Sequence, residues 1–568
     1  MIKQRLQKVI GHALVDLGIE PADFSLEYPT DFAHGDLSSN VAMVHAKISK
    51  QNPKALAEKI VENLLGQKLS DVEKIDIAGP GFVNFHLKRE YFVKNVQQVL
   101  KEGSGFGKNN LHQDEKIMIE HTNLNPFKPF HIGHLVNHSI GESISRLLEN
   151  GGAEVKRVSY GGDVGLHVAK SVWGMLHEPY DGKEEVIAYL GRVYATGATA
   201  YEEDKNAQLE IKEINKQIYE RSDPKISQLY DWGKSESLKY FEKIYALLGV
   251  NFSFQFFESE MAPIGLFLVE EFLAKGVFEK SEGAIVFKGE KYGLHTRVFV
   301  NSQGLATYET KDLGLVKRKL ESYDFDTCII VTANEQNEYF KVMIKVFEFV
   351  FPSVANKMRH ISHGFLRLSE GKMSSRTGKV VTGESLIRSI EDLVDEKIAK
   401  RELSDEEKSE IRKKVAIAAI KYTILKQSPG SDIIFDIKKS VSFEGDSGPY
   451  LQYSSVRAQS VLNKAEKEGI STFVDDSADN VPKTVSEFEK LLARYPDVVR
   501  FATVQLAPQQ IITYLIQLAG AFNSYYAVNK IVDATDEYSS YKVALTKGFA
   551  QIMVHGLSLL GISVPEKM

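Results

Sequence analysis

The sequence predicts an α/β chain in three parts: a small α+β unit, a domain on a parallel sheet, and a C-terminal bundle of helices. Three observations carry this. A strand–loop–helix–strand rhythm runs over residues 116–160, and its strand–helix half returns over 327–349. Such βαβ succession builds parallel sheets that bind ligands at the carboxyl ends of their strands. Beyond about residue 383, Leu, Ile and Val recur at three- and four-residue spacing, a helical period. Finally, 568 residues, 43% of them apolar, suffice for several cores at roughly 100–200 residues per domain.

Residues 1–108 form the first unit. Ile2, Leu6, Val9, Ala13 and Leu17 share a helical face with charges between them, which marks a core helix rather than a signal sequence. An extended stretch follows, then a helix over 53–65 with Pro53 near its start. Strands are expected over 72–77 and 81–87, and a last helix from about Glu90. Residues 101–110 (KEGSGFGKNN) read as a polar, Gly-rich linker, because their glycines lack the spacing of a Walker motif.

The second unit spans 109–390. A strand over 116–120 leads into a Pro-containing loop at 123–130. The helix over 131–150 places Ile140, Ile144, Leu147 and Leu148 on one face and is closed by Gly151-Gly152. Strands over 155–160 and 327–332 and a helix from about Gln336 to residue 349 complete the pattern. Residues 179–292, charged and helically patterned, read as an insertion. The remaining 391–568 are helical, as in 406–423 and 508–528, with a terminal bundle over about 445–568.

Composition excludes several classes. The apolar content rules out wholesale disorder, and a net charge of −6 argues against indiscriminate coating of nucleic acid. The single Cys328 excludes an intrachain disulfide and a zinc site with several Cys ligands. No run reaches the 18 or so apolar residues that span a bilayer. A soluble, cytoplasmic chain without membrane contact is expected.

Two motifs carry chemistry. His131-Ile132-Gly133-His134 stands where a loop becomes a helix, and a helix N-terminus attracts phosphate through unpaired N–H groups and its dipole. Gly133, lacking a β-carbon, admits a flat base or phosphates close to the backbone. Downstream, residues 371–379 (GKMSSRTGK) form a glycine-flanked loop whose Lys372, Ser374 and Ser375 suit closure over a phosphate chain. Chance occurrence of both motifs is on the order of one in ten thousand from average residue usage. Zinc on His131 and His134 is disfavoured, since zincins space the pair at i, i+4 with an intervening Glu, and no third ligand is evident.

His-x-Gly-His followed by Lys-Met-Ser-Ser, on a nucleotide-binding sheet with a helical C-terminal portion, resembles the class I aminoacyl-tRNA synthetases. Further stretches resemble arginyl-tRNA synthetases in particular: residues 120–134 (EHTNLNPFKPFHIGH), Gly161-Gly-Asp-Val-Gly165, Tyr308-Glu-Thr-Lys-Asp312, Gly448-Pro-Tyr-Leu-Gln-Tyr453, and, at the N-terminus, residues 33–42 and 78–84. Leu124, where proline is usual, and Phe127, where a small or polar residue is commoner, depart from the family's pattern.

The resemblance implies a Rossmann-like catalytic domain with an N-terminal tRNA-binding domain and a C-terminal anticodon-binding bundle. The implied reaction joins arginine to ATP as arginyl-adenylate and then to the terminal ribose of tRNA(Arg), with AMP and pyrophosphate released. Neither step needs a protein nucleophile; positioning and charge stabilisation suffice. His131, His134, Lys128 and Lys372 are the implied catalytic groups, Ser374 and Ser375 assist, and Mg²⁺ accompanies ATP. ATP would lie on His131, Gly133, His134, Lys372 and Met373. Asn123, Asn125, His134, Tyr308, Asp312 and Gln336 would line the arginine pocket, with Glu120 as a further carboxylate. Carboxylates suit the substrate, because a guanidinium presents donors in a fixed fork that an acid matches in bidentate fashion. Tyr308 and Asp312, at i and i+4, share a helix face.

The tRNA surface is less legible. Residues 441–568 hold 11 Lys and Arg against 14 Asp and Glu, so no basic stripe announces it. Tyr450, Tyr453, Tyr514, Tyr525 and Tyr526, with Arg457, Asn523 and Lys530, are stacking and edge-bonding candidates, although packing in the bundle is the commoner role of such tyrosines. A monomer is expected. The rival readings are a lysine or cysteine synthetase, a small-molecule nucleotidyltransferase, and an inactive RNA-binding paralogue. Lack of cysteine ligands, the large helical portion and the intact motifs weigh against the last three.

Overall fold

The computed structural model describes residues 2–67, 69–369, 382–472, 474 and 480–568. Helix α1 (Ile2–Asp16) opens the chain. Strands β1 (Leu26–Glu27) and β2 (Leu37–Ser39) follow, then helices α2 (Val41–Ser49) and α3 (Pro53–Gly66). Strands β3 (Val72–Ala78) and β4 (Phe82–Leu87) complete an antiparallel sheet of order β1-β2-β4-β3, and α4 (Arg89–Glu102) leads out. Proline at the first turn and Asn52 Oδ1, which accepts from Lys54 N at 2.9 Å, start α3 where the sequence places it. Leu6, Ile10 and Leu14 of α1 pack on Leu56 and Ile60 of α3 and on Val83 and Phe85 of β4. The sequence reading missed α2. It is nine residues long, carries no side-chain cap and includes β-branched Val41, Val44 and Ile48, so its propensity is weak and burial decides it.

The segment over 101–110 is not a free linker. Phe106 is buried and stacks on Tyr495 at 6.1 Å, and a β-carbon on Gly107 (φ +97°) would lie 2.7 Å from the Tyr495 ring. One apolar residue among polar neighbours anchors it.

The second unit is a five-stranded parallel sheet. Its strands are β5 (Lys116–Glu120), β6 (Glu154–Gly161), β7 (Phe254–Phe257), and, after three short strands named below, β11 (Thr327–Ala333) and β12 (Met358–His363), in the order β12-β11-β5-β6-β7. The first strand is central, so the chain turns outward in opposite directions beside β5, which opens a crevice at the strands' carboxyl ends. Helix α5 (Ile132–Asn150) joins β5 to β6. Helices α6 (Leu166–His177), α7 (Val186–Glu203), α8 (Lys205–Glu220) and α9 (Pro224–Leu248) lie between β6 and β7. Helix α10 (Glu258–Ala274) and a small antiparallel sheet of β8 (Glu279–Ser281), β9 (Ala284–Phe287) and β10 (Arg297–Val300) precede α11 (Tyr308–Ser322); α12 (Asn337–Val350) joins β11 to β12. Alternation sorts the two faces. Ile117, Ile119, Ile329 and Val331 belong to the core with α5, whereas Met118, Val158, Phe256 and Ile330 belong to the core with α10, α11 and α12.

Strand β7 lies inside the segment read as an insertion. It is an edge strand of the main sheet, paired with β6 through Tyr160 and Phe256. Its signal was present: Phe252, Phe254 and Phe256 alternate with Ser253 and Gln255 just after the Gly249 turn.

Strand β13 (Leu366–Leu368) pairs with β14 (Ile433–Phe435) across helices α13 (Gly383–Ile398) and α14 (Asp405–Leu425). After the short α15 (Ile437–Ser440), helices α16 (Gly448–Lys467), α17 (Glu487–Gln505), α18 (Pro508–Val528) and α19 (Ser539–Leu559) form the bundle. Its last helix touches the back of α5: Ser143 Oγ donates to the Leu559 carbonyl at 2.9 Å, and the ring of His555 meets Asn150 Oδ1 at 3.0 Å.

Candidate active site

The carboxyl end of β5 is Glu120, and the loop after it is held in conformations that side chains rarely adopt. Thr122, Asn123 and Phe127 have φ of +75°, +46° and +67°. Such residues persist only where their surroundings over-determine them. Here the Thr122 N–H donates to Asn137 Oδ1, and Asn137 Nδ2 donates to the Val331 carbonyl at 2.6 Å, which ties the loop to α5 and β11. Asn123 Nδ2 donates to Glu120 Oε1 at 3.0 Å, while its Oδ1 accepts from Tyr160 N at 2.9 Å. Asn125 Oδ1 accepts from Gly162 N at 2.7 Å. Leu124 and Phe127, the two departures from the family's pattern, are buried anchors; the Phe127 ring stacks on Tyr230 at 6.0 Å.

Carboxylates from β5, α10, α11 and the loop after β6 surround this loop, and most already have partners. Glu120 Oε2 pairs with Lys319 Nζ at 2.6 Å, both side chains buried, and that ammonium is also 3.6 Å from Cys328 Sγ. Glu258, the first residue of α10, pairs with Lys311 at 2.5 Å. Asp163 accepts from Lys234 Nζ at 2.6 Å, Tyr230 OH at 3.0 Å, and Ser259 N and Oγ at 2.9 and 2.6 Å. Asp312 differs. Its Oδ2 accepts from Tyr339 OH at 2.6 Å, and among the described residues no cation is paired with it. Burial pushes its carboxyl up to about 7, with Glu120 and Glu258 adding to the rise and the Tyr339 bond and Lys319 opposing it.

The sequence-predicted pocket residues therefore separate. Glu120, Asn123, Asn125 and Asp312 converge, but Glu120 arrives neutralised. Tyr308 begins α11 one turn before Asp312 and is 64% exposed, open to a ligand. Gln336 closes a turn of 3₁₀ helix after β11 and is exposed; from that segment it is Tyr339 that meets Asp312. The reading missed Tyr160, Asp163, Glu258, Lys311, Lys319 and Tyr339 as site residues. Lys319 had a signal, since it lies seven residues after Asp312 on the same helix face.

On the other side of the loop, His131 caps α5. Its Nδ1 accepts from Gly133 N at 3.2 Å, and His134 Nδ1 accepts from His131 N at 3.2 Å, a reciprocal capping box made of two imidazoles stacked at 3.7 Å. The Gly133 amide is thus already engaged, and a β-carbon there would press on the His131 ring at 3.0 Å. Burial, followed by the nearby Lys128 charge, lowers the His131 pKa; burial, then His131 and Lys128, hold His134 well below its ordinary value. Both rings are neutral at pH 7. With each Nδ1 accepting from a backbone N–H, the single ring proton resides on Nε2, so the pair offers two oriented Nε2–H donors. Lys128 lies half-buried with its ammonium 5.4 Å from the Tyr194 ring centre. The described chain resumes at Thr382, bridged to His131, while Gly383 N donates to the Phe130 carbonyl at 2.8 Å. Lys372, Met373, Ser374 and Ser375 lie outside the described residues.

In the bundle, Tyr450, Tyr453, Arg457, Asn523 and Tyr526 come together. Asn523 Nδ2 donates to Tyr450 OH at 2.9 Å, and the Arg457 guanidinium lies 4.8 and 5.4 Å from the Tyr453 and Tyr526 ring centres. Tyr514 is core, with its hydroxyl donating to the Leu491 carbonyl at 2.9 Å, and Lys530 pairs with Asp533 at 3.0 Å. Tyr525 packs on Phe488.

A parallel sheet with its first strand central, a His-x-Gly-His cap at the crevice and a helical bundle behind it define a class I aminoacyl-tRNA synthetase. The family model "tRNA synthetases class I (R), catalytic domain" matches residues 95–437, flanked by matches to "Arginyl tRNA synthetase N terminal domain" over 1–87 and "DALR anticodon binding domain" over 451–568. The chain belongs to the arginyl-tRNA synthetase family. It is 32% identical over 565 residues to the arginine–tRNA ligase of Clostridium perfringens (strain 13 / Type A) and 31% identical over 562 residues to that of Clostridium botulinum (strain Alaska E43 / Type E3), each match covering 98% of both chains. The arginyl-tRNA synthetase structure of Thermus thermophilus shares the fold over 100% of both chains, with a TM-score of 0.81 at 23% identity. No helix among the described residues is long and apolar enough to cross a membrane.

Proposed function

We propose that this protein ligates L-arginine to tRNA(Arg) through an arginyl-adenylate, with release of AMP and pyrophosphate. One observation carries the choice of amino acid: among the acids at the crevice, Glu120 and Glu258 each have a lysine, and Asp312 is left to receive one substrate cation. A guanidinium fits there because Asp312 offers a planar acceptor, beside the accessible Tyr308. Asn123 and Asn125 fix the loop that forms the pocket wall, and Gln336 stands at its rim.

ATP is proposed to lie across the start of α5, where the neutral Nε2–H groups of His131 and His134 and the Lys128 ammonium stabilise charge developing on the α-phosphate. Donors fixed in advance act without reorganisation as the reaction proceeds. Lys372, Met373, Ser374 and Ser375 complete that site in this proposal. Mg²⁺ would enter with the nucleotide and neutralise charge on its phosphates; the groups beside α5 are nitrogen donors, suited to the phosphates and not to the ion. The Arg457–Tyr453–Tyr526 platform, with Tyr450 and Asn523, supplies stacking faces for splayed anticodon bases. The working unit is a cytoplasmic monomer divided into 1–108, 109–390 and 391–568.

The test is aminoacylation with ATP, each of the twenty amino acids and total tRNA. Charging with arginine alone is expected. Charging with lysine, or adenylyl transfer that never reaches tRNA, overturns the reading.

A further inference from the structure

The hydroxyl of Tyr160 is buried and has no hydrogen-bond partner among the described residues. A buried unpaired polar group destabilises the fold, so its presence calls for an explanation. Its position is fixed at both ends. The backbone N–H is clamped by Asn123 Oδ1 at 2.9 Å, and the residue pairs with Phe256 in the parallel ladder between β6 and β7. Strand alternation then aims the side chain. Glu120 is in register with Val158, so Glu120, Val158, Tyr160 and Phe256 all project from the face that lies under α10 and α11. At the carboxyl end of that face the phenol lies in the field of Asp312, Glu258, Glu120 and Asp163, with Asp312 contributing most. Glu120, Glu258 and Asp163 have their own cations, so what the hydroxyl shares with Asp312 is the lack of one.

We propose that the Tyr160 hydroxyl is a specificity-determining contact that accepts an N–H of the bound arginine's guanidinium beside Asp312. The inference rests on the functional reading above and adds a residue to it. A guanidinium carries five N–H donors, more than Asp312 can accept, and a neutral oxygen beside the carboxylate takes one without adding negative charge. Burial and the surrounding carboxylates hold the phenol well above its ordinary pKa, so it stays neutral through the physiological range. The group has no protein partner among the described residues and gains one when the substrate enters. Side chains that lack donors at this point leave it unpaired, and a site built that way rejects such analogues strongly.

Tyr160→Phe isolates the hydroxyl, because it removes an oxygen that has no hydrogen-bond partner among the described residues. The melting temperature is expected to stay level or rise. The KM for arginine is expected to rise about tenfold to a hundredfold, as for loss of a hydrogen bond to a charged group. The KM for ATP should stay within about twofold. A melting temperature that falls together with every kinetic constant would show a structural role and overturn the proposal, as would an unchanged arginine KM in a variant of an enzyme that charges tRNA with arginine. If the unaltered protein does not use arginine at all, the functional reading itself has failed and this contact with it.

Discussion

Lys319 and Glu120 face each other at 2.6 Å with side chains 0% and 5% exposed, on α11 and β5, which are 199 residues apart in the chain. Removing one partner of such a pair leaves a buried charge without compensation and typically costs 3–5 kcal/mol, whereas removing both is far milder. Lys319→Met is therefore expected to lose about 3–5 kcal/mol of unfolding free energy in urea titration. Lys319→Met combined with Glu120→Gln should recover most of that loss, since glutamine still accepts from Asn123. Equal losses in the single and the double variant would contradict the pairing.

The pocket also makes a pH prediction. Asp312 titrates near 7 in the free protein because burial and the carboxylates of Glu120 and Glu258 outweigh the Tyr339 bond and the Lys319 charge. Arginine must meet the ionised form. As pH falls through 7 the protonated form takes over, so kcat/KM for arginine should fall toward tenfold per unit on the acid side and level off above about 8. His131 and His134 are held below their ordinary values, so they protonate only on the acid side of the Asp312 midpoint. Asp312→Asn should abolish the limb along with most of the arginine affinity. A limb that survives in this variant belongs to another group.

How far the sequence reveals such a site depends on how local its signals are. Strand β5 and helix α5 are legible because a run of apolar residues, a loop with proline and a helical face follow one another without interruption. The His-x-Gly-His and Tyr-x-Thr-Lys-Asp stretches name their residues directly. The charge pairing is not local. The spacing of Lys319 puts it on the Asp312 face of α11, but its partner is not legible until the sheet sets it over Glu120, and Glu258 gains meaning only when β7 is recognised as a sheet strand. Tyr160 follows the same logic. Its strand is visible, but the missing partner of its hydroxyl exists only in three dimensions.

The double-imidazole cap separates structure from chemistry. His131→Asn keeps a strong N-cap residue, so the fold should stay within about 1 kcal/mol of the parent. It loses the Nε2–H donor, and adenylate formation should drop about 10²–10³-fold. Gly133→Ala is expected to impair the same step more mildly, through a β-carbon 3.0 Å from the His131 ring. Pre-steady-state measurement of adenylate formation distinguishes these effects from weakened arginine binding. A His131→Asn variant with a normal rate would remove the imidazole from the reaction.

Two glycines inside helices should respond to alanine with opposite sign. At Gly191, in α7, a β-carbon meets nothing within 4 Å, so Gly191→Ala should gain roughly 0.8–1 kcal/mol from helix propensity alone. At Gly233, in α9, it would lie 2.2 Å from Phe127 Cε1. That ring cannot retreat: it is fully buried, its backbone sits at φ +67°, and its N–H is held by Ser237 Oγ at 3.0 Å on the same helix. Overpacking of about 1–3 kcal/mol then exceeds the propensity gain, and Gly233→Ala should be net destabilising. Because Phe127 anchors the loop that carries Asn123 and Asn125, the clash should also raise the KM for arginine, although Gly233 itself lies outside the pocket. Thermal melts with arginine kinetics on the two variants decide the matter; a stabilised Gly233→Ala protein with normal arginine affinity would mean that Phe127 does not fix the loop.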